Sequence, residues 1–300
     1  GIVFGLSCLL AITAEAQALE PIPDKLVVLT FDDSVKSHFT VVRPILKDYG
    51  FGATFFITQG FTRRTNKKDY MTWGEISQLH RDGFEIGNHT RDHMGVTAKS
   101  LEKVTEQVEA INARCQEHEI PRTTSFAYPG NAFDAAGFPL LEKAGIKFAR
   151  RGGAPEFPYD HGRGFAYEPG RDHPLLIPSA GDARPDWQLP DFIRAAEQAR
   201  DGKIAVLQFH GVPDNEHPWV HTPEENFRAF MKYLHLHKYK VIALRDLAKY
   251  ADPEVAPRNP LGAIEDRQRL LAEKQSGDNF RRLGDGDAVR GGDSVEEGRE

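Results

Sequence analysis

Two adjacent aspartates, Asp32 and Asp33, follow a short apolar run at residues 26–31. A run of this kind, rich in β-branched residues, predicts a buried strand of a parallel sheet. Ligands and catalytic groups collect at the carboxyl ends of such strands. On their own, the two carboxylates favour a solvated turn, so a functional role depends on which residues follow the other predicted strands.

Two histidines follow another predicted strand, at residues 84–88. His89 and His93 are four residues apart, and we expect them to project from one face of a helical turn, close enough to hold one metal ion. Two imidazoles and one carboxylate form the usual ligand set of a catalytic zinc, with one position left for water. The ion would lower the pKa of that water to about 7. The other aspartate of the first pair is then available as a general base.

A hydrolase also needs a proton donor and a group that stabilises the oxyanion. His210 follows the apolar strand predicted at 204–209, and histidine is the side chain best suited to donate a proton at neutral pH. The turn Tyr128-Pro129-Gly130-Asn131 closes a further strand and could direct the Gly130 N–H into the site. Two histidines and one carboxylate also form the iron-binding facial triad of non-haem iron oxygenases, which is the alternative interpretation of these three residues. The additional aspartate and His210 favour hydrolysis.

The elements that position these residues alternate between strands and helices. Strands are predicted at 26–31, 53–57, 84–88, 125–128, 146–149, 174–179, 204–209 and 240–243, and helices at 39–49, 72–82, 100–116, 133–143, 190–200, 222–234 and 244–250. About seven parallel strands covered by helices predict an α/β barrel. Cys115 lies on the apolar stripe of the 100–116 helix, which indicates a core position rather than a nucleophile.

Composition bounds the remaining possibilities. The 300 residues are 40% hydrophobic, which suffices for one sizeable core, and a net charge of −6 without a basic stripe argues against a nucleic-acid partner.

Residues 1–13 are almost wholly apolar and lead to a small-residue cleavage site ending at Ala18. This pattern predicts a signal peptide over 1–18, export, and no stable membrane insertion after its removal; a buried N-terminal helix is the alternative. A C-terminal extension, 251–300, is predicted to be largely disordered, with one plausible helix at 261–274.

Five ordered motifs resemble those of the polysaccharide deacetylases, the NodB-homology domain of carbohydrate esterase family 4. They are Thr30-Phe31-Asp32-Asp33, His89-Thr90-x-x-His93, Phe126-Ala127-Tyr128-Pro129-Gly130, Asp186-Trp187 and Phe209-His210. The resemblance covers about residues 24–250, and the first two motifs together are the most specific. It implies a deformed (β/α) barrel that removes N-acetyl, and also O-acetyl, groups from a polysaccharide.

The resemblance also assigns roles to individual residues. It implies one divalent metal ion, usually zinc, bound by three residues. It assigns other residues as the general acid, the general base and the lining of the substrate pocket. The metal ligands are Asp33, His89 and His93; the base is Asp32 and the acid His210; Gly130, Tyr128 and Trp187 line the oxyanion and acetyl pocket; and Thr90 steadies the histidine turn. A hydrolase of a small cyclic amide on the same fold, or an inactive carbohydrate-binding homologue, are the alternatives.

Three positions depart from the family pattern. Ser34 replaces a common Gly-Pro after the aspartates, Ala127 stands where an arginine usually holds the base, and Gly211 replaces a frequent aspartate. Arg150 and Arg151 are both candidates to take over from the missing arginine. The loop that carries His217, Trp219 and His221 could bind sugar or a second metal, or could merely pack, and we do not include it in the predicted site.

Overall fold

The computed structural model describes residues 18–60 and 62–287. The predicted signal peptide, 1–18, therefore lies outside the described residues except for Ala18. Within the described ranges, no helix combines the length and the apolar character needed to cross a membrane.

One curled sheet of parallel strands forms the centre of the fold. The strands are β1 (Leu26–Phe31), β2 (Thr54–Ile57), β3 (Glu85–Asn88), β4 (Ser125–Ala127), β5 (Phe148–Arg150), β6 (Gly181–Asp182), β7 (Ala205–Phe209) and β8 (Lys240–Ile242). Their order is β5-β4-β3-β2-β1-β7-β6, and β8 also pairs with β1. This arrangement confirms the predicted α/β deformed barrel. The two-residue strand β6 was not predicted, because it is too short to produce a periodic pattern.

Strand β1 occupies the middle of the sheet. It pairs with β7 along most of its length, with β8 through Leu26–Val28, and with β2 through Thr30 and Phe31. All six of its residues are buried. The two aspartates that follow it therefore emerge at the centre of the carboxyl edge of the sheet.

The gap between β5 and β6 is bridged by an irregular segment. The strand predicted at 174–179 is instead a 3₁₀ turn, Pro174–Leu176, followed by a single parallel bridge between Ile177 and Arg150. The Ile177 N–H donates to the Ala149 carbonyl at 2.8 Å, and the Arg151 N–H donates to the Ile177 carbonyl at 2.8 Å. A regular ladder cannot form here because prolines precede and follow this short stretch and lack N–H donors.

Helices cover the sheet and complete the core. They are α1 (Arg43–Tyr49), α2 (Trp73–Arg81), α3 (Leu101–Glu117), α4 (Phe138–Lys143), α5 (Leu189–Ala196), α6 (Glu224–Leu236) and α7 (Gly262–Asp287). A π-helical turn, His38–Val42, precedes α1, and the helix predicted at 244–250 is a 3₁₀ helix, Leu244–Lys249. Cys115 is a buried free thiol in the core, as its position on the α3 stripe predicts.

The C-terminal helix α7 packs on the barrel. The predicted helix at 261–274 is present and continues to Asp287. Arg267 extends from it into the protein, is 2% exposed, and pairs with Asp172 at 2.6 Å. The extension thus contributes contacts to the barrel. Of the disorder predicted for 251–300, the part at 288–300 lies outside the described residues.

Candidate active site

Three predicted metal ligands converge at the carboxyl edge of the sheet. Asp33, His89 and His93 line a cavity of about 210 Å³, and one ligand atom from each lies within 4.8 Å of the others. The Asp33 Oδ1 atom is 3.2 Å from Nε2 of His93 and 3.6 Å from Nε2 of His89. A carboxylate and two imidazoles at this separation are a donor set suited to a divalent transition-metal ion.

The orientation of His89 fits metal ligation. Its Nδ1 atom is 2.8 Å from the Ala127 carbonyl oxygen, so Nδ1 carries the proton and donates it to that oxygen. This tautomer leaves the Nε2 lone pair directed towards Asp33. Burial lowers the pKa of His89 to about 4, which keeps the ring neutral at neutral pH. A neutral, oriented imidazole is the form that binds a metal ion.

The two histidines do not lie on a helical turn, and this part of the prediction is wrong. Thr90 and His93 both have φ of 56°, in the left-handed region that breaks a helix. The Thr90 hydroxyl instead fixes the loop, because it accepts from the Met94 N–H at 2.7 Å and lies 3.2 Å from the Met94 carbonyl. The imidazoles converge through this loop geometry rather than through helical spacing.

Asp32 lies beside the ligands in a buried position with two side-chain donors. Arg150 forms an ion pair with its Oδ1 atom, and Gln208 Nε2 donates to Oδ2 at 3.3 Å. Of the two arginines considered from the sequence, only Arg150 contacts Asp32, since Arg151 pairs with Glu156. Burial alone would raise the pKa of Asp32, but the charge of Arg150 and the nearby histidines hold it below its ordinary value. Asp32 is therefore ionised at neutral pH.

His210 lines the same cavity from the end of β7. Its Nδ1 atom is 3.7 Å from Oδ1 of Asp182, and the other oxygen of Asp182 accepts from Arg184. Burial raises the pKa of Asp182, although His210 and Arg184 act in the opposite direction. The carbonyl oxygen of His210 lies 3.1 Å from Nε2 of the buried His38. The His38 side chain therefore holds the backbone of His210, and the Asp182 carboxyl lies near its ring without a hydrogen bond.

The chain matches one known family over the part that contains most of these residues. Residues 20–149 match the family model described as Polysaccharide deacetylase. This part of the chain is similar to a polysaccharide deacetylase domain. This result agrees with the order of the motifs around Asp32, Asp33, His89 and His93, which all fall within the matched range.

Curated relatives and solved structures extend the comparison. The chain is 30% identical over 128 residues to a peptidoglycan-N-acetylglucosamine deacetylase of Bacillus cereus, covering 42% of this chain and 56% of the relative. It is 28% identical over 137 residues to a poly-beta-1,6-N-acetyl-D-glucosamine N-deacetylase of Staphylococcus aureus, covering 42% and 47% respectively. The chain thus spans about half the length of the curated relatives that it matches.

Two solved structures share the fold of this chain. One is a family 4 acetyl xylan esterase from Clostridium thermocellum, with a TM-score of 0.52, 22% identity, and coverage of 77% of this chain and 96% of that one. The other is a CE4 family pseudoenzyme from Bacillus anthracis, with a TM-score of 0.50, 16% identity, and coverage of 75% and 66%. At these identities the likeness establishes the fold alone.

The cavity differs from the expectation at Trp187. That side chain is 4% exposed and lies in the hydrophobic core, outside the group of residues that line the cavity. The aromatic residues on the cavity wall are Tyr128, Tyr159 and Trp219, and Trp219 is 62% exposed. The aromatic part of the cavity wall is therefore formed by Tyr128, Tyr159 and Trp219 instead of Trp187.

The turn after β4 forms part of the cavity wall. Tyr128 and Gly130 both line it, and the Tyr128 hydroxyl donates to the Leu175 carbonyl at 2.7 Å, which fixes the ring. Gly130 has φ of 59°, and no atom lies within 4 Å of where a side chain would begin. Glycine therefore permits this left-handed turn without blocking the cavity.

Several residues of the site had no distinct sequence signal. Asp182 is the second residue of a two-residue strand, and Gln208 lies within an otherwise apolar strand. Tyr159 lies in a loop rich in glycine and charge. His217 was considered but not included; its Nδ1 atom is 3.4 Å from Oδ2 of Asp214, a hydrogen bond that raises the pKa of His217.

Proposed function

We propose that this protein hydrolyses acetyl groups of a polysaccharide, either N-acetyl amides or O-acetyl esters. One observation carries the proposal: the candidate metal ligands, the ionised Asp32 and His210 all line the same cavity. An acid and a base on different strands, beside a Lewis-acid site, are what hydrolysis of an acetyl group requires. The acetylated glycan substrates of the curated relatives are consistent with this activity.

Asp33, His89 and His93 would hold a divalent ion, for which we propose zinc. When bound, such an ion polarises an acetyl carbonyl and makes water more acidic. Two observations support binding of a divalent ion by these residues: the set of one carboxylate and two imidazoles, and the neutral, oriented ring of His89.

The remaining residues of the site move protons and orient the substrate. Asp32, ionised and held by Arg150, takes the proton from the attacking water. His210 gives a proton to the leaving amine or alcohol of the sugar. The Gly130 amide lies on the cavity wall, where it can donate a hydrogen bond to the oxygen that becomes negatively charged. The exposed Trp219 face offers a surface on which a sugar ring can stack.

A polymeric substrate is consistent with export. We infer that residues 1–18 act as a signal peptide, because an apolar run followed by small residues is the pattern that signal peptidase cleaves. The acetylated polymer would then be met outside the cytoplasm.

An inactive carbohydrate-binding protein is the second candidate function, and Arg63 is the observation that favours it. Its Nη2 atom is 3.0 Å from Oδ1 of Asp33, so a positive charge already contacts the proposed carboxylate ligand. A pseudoenzyme shares the fold. If Arg63 replaced the ion, the site would bind glycans without cleaving them.

Metal analysis combined with acetate release separates the two functions. We expect the purified protein to hold about one zinc ion and to release acetate from at least one member of a panel of acetylated glycans. His89→Ala combined with His93→Ala should abolish both properties, whereas the exposed His235→Ala should change neither. Stoichiometric metal in the double variant would overturn the ligand assignment, and a metal-free protein that binds glycans without acetate release would establish the second candidate.

A further inference from the structure

A second cavity, of about 300 Å³, lies behind the turn formed by Asp33 and Ser34. Ser34 lies on its wall, and Arg63 joins the two cavities, since it lines the second cavity and contacts the Asp33 carboxylate of the first. We call this second cavity the basic pocket. Its wall consists of Ser34, Ile57, Thr58, Gln59, Arg63, Arg64, Lys67, Met71, Thr72, Trp73, Ile76 and Arg114.

The basic pocket concentrates positive charge in a chain whose net charge is −6. Its described wall carries three guanidinium groups and one ammonium group, and no carboxylate. The first turn of α2, at Thr72, Trp73 and Ile76, forms another part of the wall. The dipole at the start of α2 favours an anion in the same direction as the side chains. The N–H groups of Thr72 and Glu75 are already used in the capping box of this helix, so the side-chain cations supply the donors.

The carboxylates near these cations lie outside the wall: Asp33 contacts Arg63, Asp92 contacts Arg64, and Glu117 contacts Arg114. The last two pairs are solvent-exposed and therefore compensate their cations only in part. Arg64 pairs with Asp92 at 3.4 Å, and both side chains are largely exposed, so this pair contributes little and can exchange for a ligand. Lys67 donates to the backbone carbonyl of Arg63 rather than to a carboxylate. Burial, and then the nearby charge of Lys36, lower the pKa of Lys67, as expected where positive charges crowd one another.

The shape of the donors favours a planar or tetrahedral oxyanion. Guanidinium groups present parallel N–H donors that match carboxylate and phosphate oxygens. Arg114 is held over the Trp73 ring, with 5.3 Å between its Cζ atom and the ring centroid, so its position is restrained before a ligand arrives. The Trp73 ring also provides an apolar wall next to the charged groups, as a sugar-bound anion requires.

We propose that the basic pocket binds a negatively charged substituent, a carboxylate or a phosphate, of the same polymer whose acetyl groups enter the first cavity. The proposal rests on the function proposed above and narrows the substrate class to acidic acetylated polysaccharides. A chain that crosses the Asp33–Ser34 turn would place an acetylated sugar in one cavity and an acidic group in the other.

Equilibrium binding tests this proposal without turnover, so its outcome is independent of whether acetate is released. The probes are an unacetylated oligogalacturonate hexasaccharide, an uncharged hexasaccharide of matched length, and inorganic phosphate, each titrated by calorimetry. We expect the acidic hexasaccharide to bind more tightly than the uncharged one, with an affinity that falls as salt is added. The variant Arg64→Gln with Lys67→Gln should weaken acidic binding by about ten-fold or more.

A matched control removes the same charge elsewhere. Lys103→Gln with Lys143→Gln changes two exposed lysines outside both cavities and should leave acidic binding within about two-fold of the parent. Equal binding of the acidic and uncharged hexasaccharides, or equal losses in the two double variants, would overturn the proposal. Binding of inorganic phosphate without binding of the acidic hexasaccharide would also overturn it, because the pocket would then take a free anion.

Discussion

The proposed base, Asp32, and the proposed acid, His210, differ in the side chains that contact them. Asp32 is flanked by Arg150 and Gln208, which donate to its two oxygens and favour the ionised form. His210 faces the buried Asp182 carboxyl and is held through its own carbonyl by His38. Two titratable groups in contrasting environments are the usual basis for separate acid and base roles.

Replacement of His210 should therefore affect two substrates unequally. An amine needs a proton to leave, whereas the phenolate of an aryl acetate leaves readily without one, so His210→Ala should slow N-acetyl cleavage by about 10²–10⁴-fold and aryl acetate cleavage much less. The measurement is kcat/KM on both substrates together with metal content. Equal losses on both, or loss of the metal, would show that His210 binds or ligates instead of donating a proton.

Arg150 and Arg151 offer a matched pair of substitutions. Both side chains are fully buried and each forms an ion pair, so Arg150→Gln and Arg151→Gln should destabilise the protein to a similar extent, by about 3–5 kcal/mol. Only Arg150 contacts Asp32, and only its loss should also lower kcat, by about 10²-fold. Steady-state kinetics well below each melting temperature tests this. A similar fall in kcat for Arg151→Gln would mean that general destabilisation, not support of the base, is responsible.

At the scale of elements, the loop after β3 holds the metal ligands in place of a helix. The Thr90 hydroxyl accepts from the Met94 N–H and closes the loop between the two histidines. Thr90→Ala should therefore weaken metal binding by about 10–100-fold, the range seen when groups that orient ligands are removed.

Thr90→Ser is the control for that prediction, because it keeps the hydroxyl and removes only a methyl group. Metal affinity, measured by competition with a chromophoric chelator, should stay close to that of the parent. Equal weakening in the Ser and Ala variants would assign the effect to lost packing of the methyl group instead of to the hydrogen bond.

The sequence predicted the elements with strong periodicity and missed those that depend on distant contacts. Strand β1 and helix α3 were recognised because their apolar residues repeat with the periods of a strand and a helix. The histidine loop was predicted to be helical because His89 and His93 are four residues apart, and Thr90 is not a residue type that signals positive φ. Strand β6, with two residues, offers no period.

The partner of Asp32 shows how far sequence reasoning could go. The ion pair joins positions 118 residues apart, and the sequence narrowed the partner to two adjacent arginines. Successive side chains of a strand point to opposite faces, so only one of the two can face Asp32. Which one depends on the register of β5, and that register is set by tertiary pairing with β4.

At the scale of the whole molecule, buried neutral histidines make stability depend on pH. Burial lowers the pKa of His38 from 6.5 to about 4. Between these values the unfolded chain binds a proton that the folded chain does not, so stability should fall as the pH drops from about 6.5 to 4 and level off below. The contribution of His38 to this loss should be about 3 kcal/mol. His89 should add a similar loss in metal-free protein.

Urea unfolding at a series of pH values tests the His38 contribution. His38→Gln should flatten the fall in the free energy of unfolding between pH 6.5 and about 4, because one proton uptake is removed. The exposed His235→Gln should retain the slope of the parent. An unchanged slope in His38→Gln would indicate that His38 is already charged in the folded protein.

Helix α7 links the C-terminal extension to the stability of the barrel. Arg267 is 2% exposed and pairs with Asp172 at 2.6 Å and with Glu168 at 3.3 Å, while Glu156 lies 3.7 Å away. The strand–helix alternation alone would suggest that residues after 256 can be removed without effect. Their removal would instead leave the buried Asp172 carboxylate without this cation. Deleting one partner of a buried ion pair lowers the free energy of unfolding by about 3–5 kcal/mol.

We therefore expect Arg267→Gln, and truncation after Ala256, each to lower the free energy of unfolding by about 3–5 kcal/mol. The matched control is Arg269→Gln, since Arg269 lies two residues along the same helix, is largely exposed, and pairs only with the exposed Asp266 in the described contacts. Its effect should stay below about 1 kcal/mol. Acetate release by Arg267→Gln should persist at low temperature, because Arg267 does not line the active-site cavity. If truncation after Ala256 left the denaturation midpoint unchanged, α7 would be an appendage with no part in holding the loops of the barrel.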